Sequence, residues 1–169
     1  MDAITLLKQD HRSVEKAFKA FERAGDRALK AKADAVRTMV SELSAHAAAE
    51  EQVFYPAVRA EVADASDTVL ESLEEHHIVK WVLSELDGMD PRAERFDAKV
   101  RVLMETVRHH VDEEEHELFP LVRQALGRKR LAEIGAALER AKRAAPRHPH
   151  PRSPDEPARD LVGATTGVG

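Results

Sequence analysis

The chain has 169 residues, 43% hydrophobic, 34% charged and 4% aromatic, with seven glycines and a net charge of -5. This is enough for one domain with a real core, while so few aromatics and glycines argue against many short strands and the acidic balance argues against a general nucleic-acid binder. Cysteine is absent, which excludes disulfides, thiolate metal sites and thiol nucleophiles, whereas histidine occurs nine times.

The opening MDAITLLKQDH is too polar for a signal peptide and no stretch approaches a membrane span, so the expected location is cytoplasmic. Four segments then carry apolar residues at helical spacing. The first aligns Ile4, Leu7, His11, Val14, Phe18 and Phe21. After a break at Gly25 and Asp26, the second follows Asp34 with Val36, Met39/Val40, Leu43, His46, Glu50, Val53/Phe54 and Ala57. The third aligns Val69, Leu73, His76, Val79, Leu83 and Leu86, and ends at the turn signal Gly88-Met89-Asp90-Pro91. The fourth aligns Val100, Leu103, Val107, His110, Glu114 and Leu118/Leu121.

Each stripe is apolar at its ends and interrupted near its middle by histidine or glutamate. Short connections favour antiparallel neighbours, so the expected fold is all-α, an up-down-up-down four-helix bundle. Pro56 and Pro120 are expected to kink or end their helices. A fifth amphipathic helix, about 128–144, packs outside the core formed by 1–125. The Pro/Gly-rich tail 146–169 has little to bury and is expected to be flexible; its His148 and His150 read as incidental.

An internal repeat strengthens the central pattern. His46-Ala-Ala-Ala-Glu50-Glu51-Gln-Val-Phe-Tyr-Pro56 matches His110-Val-Asp-Glu-Glu114-Glu115-His-Glu-Leu-Phe-Pro120, 64 residues further on. Two similar helical hairpins would face each other about a pseudo-twofold axis. Residues four apart share a helix face, so His46 with Glu50 and His110 with Glu114 each offer an imidazole and a carboxylate to one point. One such pair arises readily by chance in a charged helix. Two copies on apolar stripes, facing His11 and His76, make a metal constellation.

Burial supplies the physical reason. Glutamates on a core face must be paired, protonated or metal-bound, and Lys and Arg are missing from the central levels of the stripes. One dication, or two with bridging oxo or hydroxo ligands, would neutralise the carboxylates. Imidazole and carboxylate suit iron, and ligand type alone leaves zinc and manganese open. Glu113, Glu115 and Glu117 point away from the stripe as a solvated run, and the four-residue spacing favours Glu50 over Glu51. His109 and His116 read as surface residues; Trp81, Phe18, Phe21 and Phe54 read as core.

These motifs resemble the hemerythrin-like HHE cation-binding domains. The likeness rests on Asp10-His11, HAAAEE from His46, Glu-Glu-His from Glu74 to His76, and HVDEEE from His110 with Leu-Phe-Pro after it, over residues 1–125 of a domain reaching 145. It implies two iron ions joined by a bridging oxo/hydroxo group. His11 and His46 would hold one iron, His76 and His110 the other, and Glu50 and Glu114 would bridge. Oxygen carriers of the family have two histidines four apart in the third helix. Here Ser72 and Lys80 stand at those spacings from His76, leaving one iron short of an imidazole unless His77 or another group supplies a ligand; His77 is also the alternative to His76. The implied function is to bind, sense or detoxify dioxygen, peroxide or nitric oxide, with no nucleic-acid or membrane partner. The alternatives are a diiron oxidase or oxygenase with an organic substrate, and a metal-dependent module for a protein partner.

Overall fold

A computed structural model describes residues 1–149. The helices are α1 (Ala3–Arg23), α2 (Leu29–Ala49), α3 (Tyr55–Glu61), α4 (Ser66–Leu86), α5 (Phe96–Glu113), α6 (Phe119–Ala125) and α7 (Arg128–Ala144). Two π-helical turns, Glu50–Phe54 and Glu114–Leu118, join α2 to α3 and α5 to α6. Four long rods therefore form the up-down-up-down bundle, and α7 packs outside against α1, α2 and the first π turn. None of the helices described is long and apolar enough to cross a membrane.

Local chemistry sets the ends. Asp2 caps α1, its carboxylate accepting from the Thr5 N–H at 3.0 Å and the Thr5 hydroxyl at 2.7 Å. Helix α2 begins at Leu29, earlier than its apolar stripe suggests, and Asp34 lies inside it on an exposed face held by Lys30 and Arg37. Gly88 turns the chain between α4 and α5 with φ 76°.

Neither Pro56 nor Pro120 ends its rod. Proline has no N–H to donate four residues back, so an unbroken α-helix would strand that carbonyl. The chain widens by one residue just before each proline: the Tyr55 N–H donates to the Glu50 carbonyl, and the Phe119 N–H to the Glu114 carbonyl. The extra residue moves everything beyond it by about 100° round the helix. Ala57 and Leu121, expected inward, give way to Val58 and Val122; Leu121 is 41% exposed. Tyr55 and Phe119 turn fully inward by the same slip.

The core has two parts. One contains Ile4, Leu7, Phe54, Tyr55, Phe119 and Val122 with Leu131, Ile134 and Leu138 of α7. The other contains Phe18, Phe21, Met39, Leu83, Phe96 and Leu103. Phe18, Phe21 and Phe54 are buried as expected, but Trp81 is 55% exposed, because it lies off the Val79–Leu83–Leu86 stripe of α4. At Gly135, α7 meets the N-terminus so closely that a Cβ would lie 2.2 Å from the Met1 carbonyl oxygen. His148 reaches Asp87 at 2.9 Å; His150 and the remainder of the expected flexible tail lie outside the described residues.

Candidate metal centre

Between the two apolar clusters the interrupted stripes converge. His11, His46, Glu50, His76, His110 and Glu114 are all at most 6% exposed. Their inward atoms form two overlapping groups, one of His11, His46, Glu50 and Glu114, the other of Glu50, His76 and His110. The Glu50 Oε2 lies 3.1 Å from His46 Nε2 and 3.4 Å from His76 Nε2. The Glu114 Oε2 lies 3.3 Å from His11 Nε2 and 3.6 Å from His110 Nε2. His77, the sequence alternative on α4, is exposed, one residue and about 100° round from His76. His109 and His116 lie at the surface as expected.

Behind each imidazole stands a carboxylate. On the Nδ1 side, His11 faces Glu115 at 2.8 Å, His76 faces Glu51 at 3.1 Å, His110 faces Glu75 at 2.7 Å and His46 faces Asp10 at 3.5 Å. A proton on Nδ1, donated outward, leaves the Nε2 lone pair pointing into the centre, the arrangement that orients metal-binding histidines. The carboxylates are held in turn from outside. Lys8 approaches Glu115 at 3.2 Å, Lys80 approaches Glu51 at 3.0 Å, His109 approaches Glu75 at 3.7 Å, and Lys142 of α7 bonds Asp10.

Two sequence expectations change here. Lysine is not missing from the central level: Lys80 is 7% exposed and its ammonium pairs with Glu51. Its long stem lets the charge reach the flank of the core while the helix keeps its packing. Glu51 and Glu115, read as a losing competitor and a solvated residue, instead orient imidazoles; standing one position off the stripe carries them behind the ring of a neighbouring helix. The doubled glutamate in each repeat is the signal that marks them.

Tyr55 is the residue the periodicity missed. Its hydroxyl donates to Glu114 Oε1 at 2.9 Å and lies 3.3 Å from His76 Nε2 and 3.4 Å from Glu50 Oε2. Its counterpart in the repeat, Phe119, has no hydroxyl and stacks flat on His11, centroids 5.8 Å apart and planes 6° off parallel.

Charge is concentrated here. Burial opposes protonation of His46, yet the Glu50 charge and Asp10 outweigh it and raise its pKa to about 10. Burial likewise opposes protonation of His76, and Glu50 and Glu51 outweigh it to give about 9. Burial would raise Glu50, but His46 and His76 hold it well below the usual carboxylate range. Burial, then Glu114 and Glu50, pushes the Tyr55 hydroxyl well above its ordinary pKa. Protons and metal cations thus compete for the same lone pairs.

A cation fits this donor set on one direct observation. His11 Nε2, Glu50 Oε1 and Glu114 Oε2 are buried with no hydrogen-bond partner, which is costly unless an ion satisfies them. The Hemerythrin HHE cation binding domain profile matches residues 2–122. The chain belongs to the hemerythrin HHE cation-binding family. It is 27% identical over 155 residues to an uncharacterized hemerythrin-like protein of Schizosaccharomyces pombe, covering 91% of this chain and 75% of that one. It is 29% identical over 142 residues to a protein of Nostoc named DNA nickase, covering 84% of this chain but only 39% of that longer protein. A crystal structure of a hemerythrin HHE cation binding domain-containing protein from Mycobacterium kansasii has the same fold, with TM-score 0.70, 21% identity, and coverage of 85% of this chain and 89% of that one.

Proposed function

We propose that this family member is a non-haem diiron protein that binds, senses or detoxifies dioxygen, peroxide or nitric oxide. The observation that carries the reading is the convergence of four carboxylate-backed imidazoles on Glu50 and Glu114, with buried oxygen and nitrogen atoms left unpartnered among them. His11 and His46 would hold one iron and His76 and His110 the other. Glu50, a member of both ligand groups, and Glu114, between His11 and His110, would bridge. A solvent-derived oxo or hydroxo group would complete the pair. Iron in such a set supplies redox chemistry toward small oxygen and nitrogen species.

Helix α4 adds no further imidazole to the centre: the Ser72 hydroxyl donates to the Thr68 carbonyl, Lys80 pairs with Glu51, and His77 is exposed. Tyr55 occupies that place on the His76 side, where its hydroxyl can hold or give a proton beside Glu114. A small ligand is favoured over an organic substrate by size. The cavity against the four imidazoles is about 20 Å³, far below the several hundred Å³ of ordinary substrate pockets.

Anaerobic loading with ferrous iron followed by metal analysis tests the centre. The expected result is two irons per chain, and saturation at one or none overturns it. Air should then convert the reduced protein to a stable oxidised form. Dioxygen taken up in air and released under vacuum through repeated cycles would instead show a carrier.

A further inference from the structure

The small cavity lies on the histidine side of the centre, away from Glu50, Glu114 and Tyr55. The four imidazoles line it together with Val14, Val107 and Val111. A surface groove of about 440 Å³ runs between α1 and α5. Its lining includes His11, Val14, Val107 and Val111, four residues that also line the inner cavity. One shared layer of side chains, His11 among them, therefore lies between the groove and the inner cavity. Two further surface hollows, of about 370 and 530 Å³, share no lining residue with the inner cavity.

Within that layer the valines differ. Val14 and Val107 are 3% and 4% exposed, while Val111 is only half-buried and packs at the edge of the core cluster. Arg108 straps α5 to α1 beside them, bonding Glu15 at 3.0 and 3.1 Å and Glu22 at 2.8 Å, and lies over the Phe18 ring. The strap ties α5 to α1 beside the groove, and Val111 is the least buried of the three valines in the layer. Surface side chains change rotamer in picoseconds to nanoseconds, while a β-branched valine on a helix keeps mainly one χ1 rotamer, so the half-buried Val111 yields only briefly and by small movements.

We propose that ligands of the metal centre enter through the floor of the α1–α5 groove, and that Val111, which shares that floor with Val14 and Val107, is the gate that sets their size. The route rests on the metal-centre reading above and adds the entry path and its limiting residue. The gate passes slender molecules, such as dioxygen, nitric oxide and the azide ion, and excludes organic molecules whatever their affinity for the metals.

Val111→Phe and Val111→Ala test it, with Val102→Phe, on the 53% exposed outer face of α5, as control. The groove has room for the larger ring, and equal thermal unfolding and metal content establish that each variant is folded and loaded. Azide is mixed with the oxidised iron-loaded protein. Val111→Phe is expected to slow association and dissociation together by about tenfold, a barrier change of about 1.4 kcal/mol, leaving the equilibrium affinity within about twofold. Val111→Ala is expected to speed both, and Val102→Phe to change neither. Unchanged rates in Val111→Phe, or an affinity loss that accounts for the slower association, overturn the gate. A second measurement needs no metal: in the metal-free protein, dissolved dioxygen should enhance methyl relaxation at Val14, Val107 and Val111 and at Leu43 and Val79 of the inner cavity above that at Leu138, which is buried and lines neither the groove nor the cavity. A chain that takes up no iron yet shows this pattern retains the route and loses the diiron reading. Enhancement no greater at these methyls than at Leu138 removes the route.

Discussion

The two halves of the bundle use one plan and finish it differently. In each, an acidic residue and a histidine stand side by side, Asp10-His11 on α1 and Glu75-His76 on α4. In each, the next rod carries His-x-x-x-Glu-Glu followed by a widened turn. The contacts repeat as well: Asp10 backs His46 as Glu75 backs His110, and Glu115 backs His11 as Glu51 backs His76. The inward aromatic breaks the likeness. Tyr55 brings a hydroxyl to Glu114 and His76, whereas Phe119 brings only a ring face to His11. A symmetric scaffold thus offers two chemically unequal positions, and a single oxygen atom makes much of the difference.

The largest effects should come from Glu50 and Glu114, the two carboxylates proposed to bridge. Glu50→Ala is expected to abolish binding of both metals, because Glu50 belongs to both ligand groups. Glu114→Ala should lose the metal near His11 and His46 first. Metal content measured across the series checks this, with Glu113→Ala and Glu117→Ala expected to retain the full complement. Equal occupancy in all four would remove the distinction between inward and outward glutamates.

Tyr55→Phe makes the halves alike. In metal-free protein it should lower unfolding free energy by about 1–2 kcal/mol, since it deletes the donor to a buried carboxylate; denaturant titration reads the loss. In loaded protein the optical spectrum should change, whereas an identical spectrum would show that the hydroxyl leaves both positions equal.

The two histidines against Glu50 predict a pH dependence of metal-free protein. His46 and His76 have folded pKa values of about 10 and 9, raised above the ordinary 6.5. Their stabilisation is fully present below about pH 6.5 and is lost as pH rises through 9 and 10. Glu50, with a lowered pKa, works in the opposite direction: its contribution is present above the ordinary carboxylate pKa and is lost on acidification. Denaturant unfolding from pH 6 to 10 should show the alkaline decline, and His46→Gln should flatten part of it. Smallest of all, Lys142→Met removes a partly exposed partner of Asp10 in one half only. It should cost no more than about 1 kcal/mol, read as a small shift in the unfolding midpoint.

The bundle and six inward polar residues were legible because helical periodicity survives as far as Glu50 and Glu114. Beyond those positions the period slips. Carrying the stripe forward at 3.6 residues per turn selects Ala57 and Leu121 and passes over Tyr55, although Pro56 and Pro120 announced that the ordinary ladder could not continue. The residues behind the imidazoles were hidden for another reason. Asp10, Glu51, Glu75 and Glu115 each lie one position from an inward residue, and only the packing of neighbouring rods brings them behind a ring. Lys142 was harder still, since nothing local to α7 marks Asp10 as its partner.

The widened turns also bear on how such a centre could arise or be lost. A π turn amounts to one residue more than an α-helix needs over the same span, a difference of a single codon. Removing Gln52 would draw Tyr55 into the position before it and swing its hydroxyl away from Glu114, with His46 and Glu50 untouched. Pro56 would oppose the tightened turn, because it has no N–H to give to the α-helical ladder there. The contrast between a tyrosine and a phenylalanine at the centre therefore depends on one extra residue in each of the two rods.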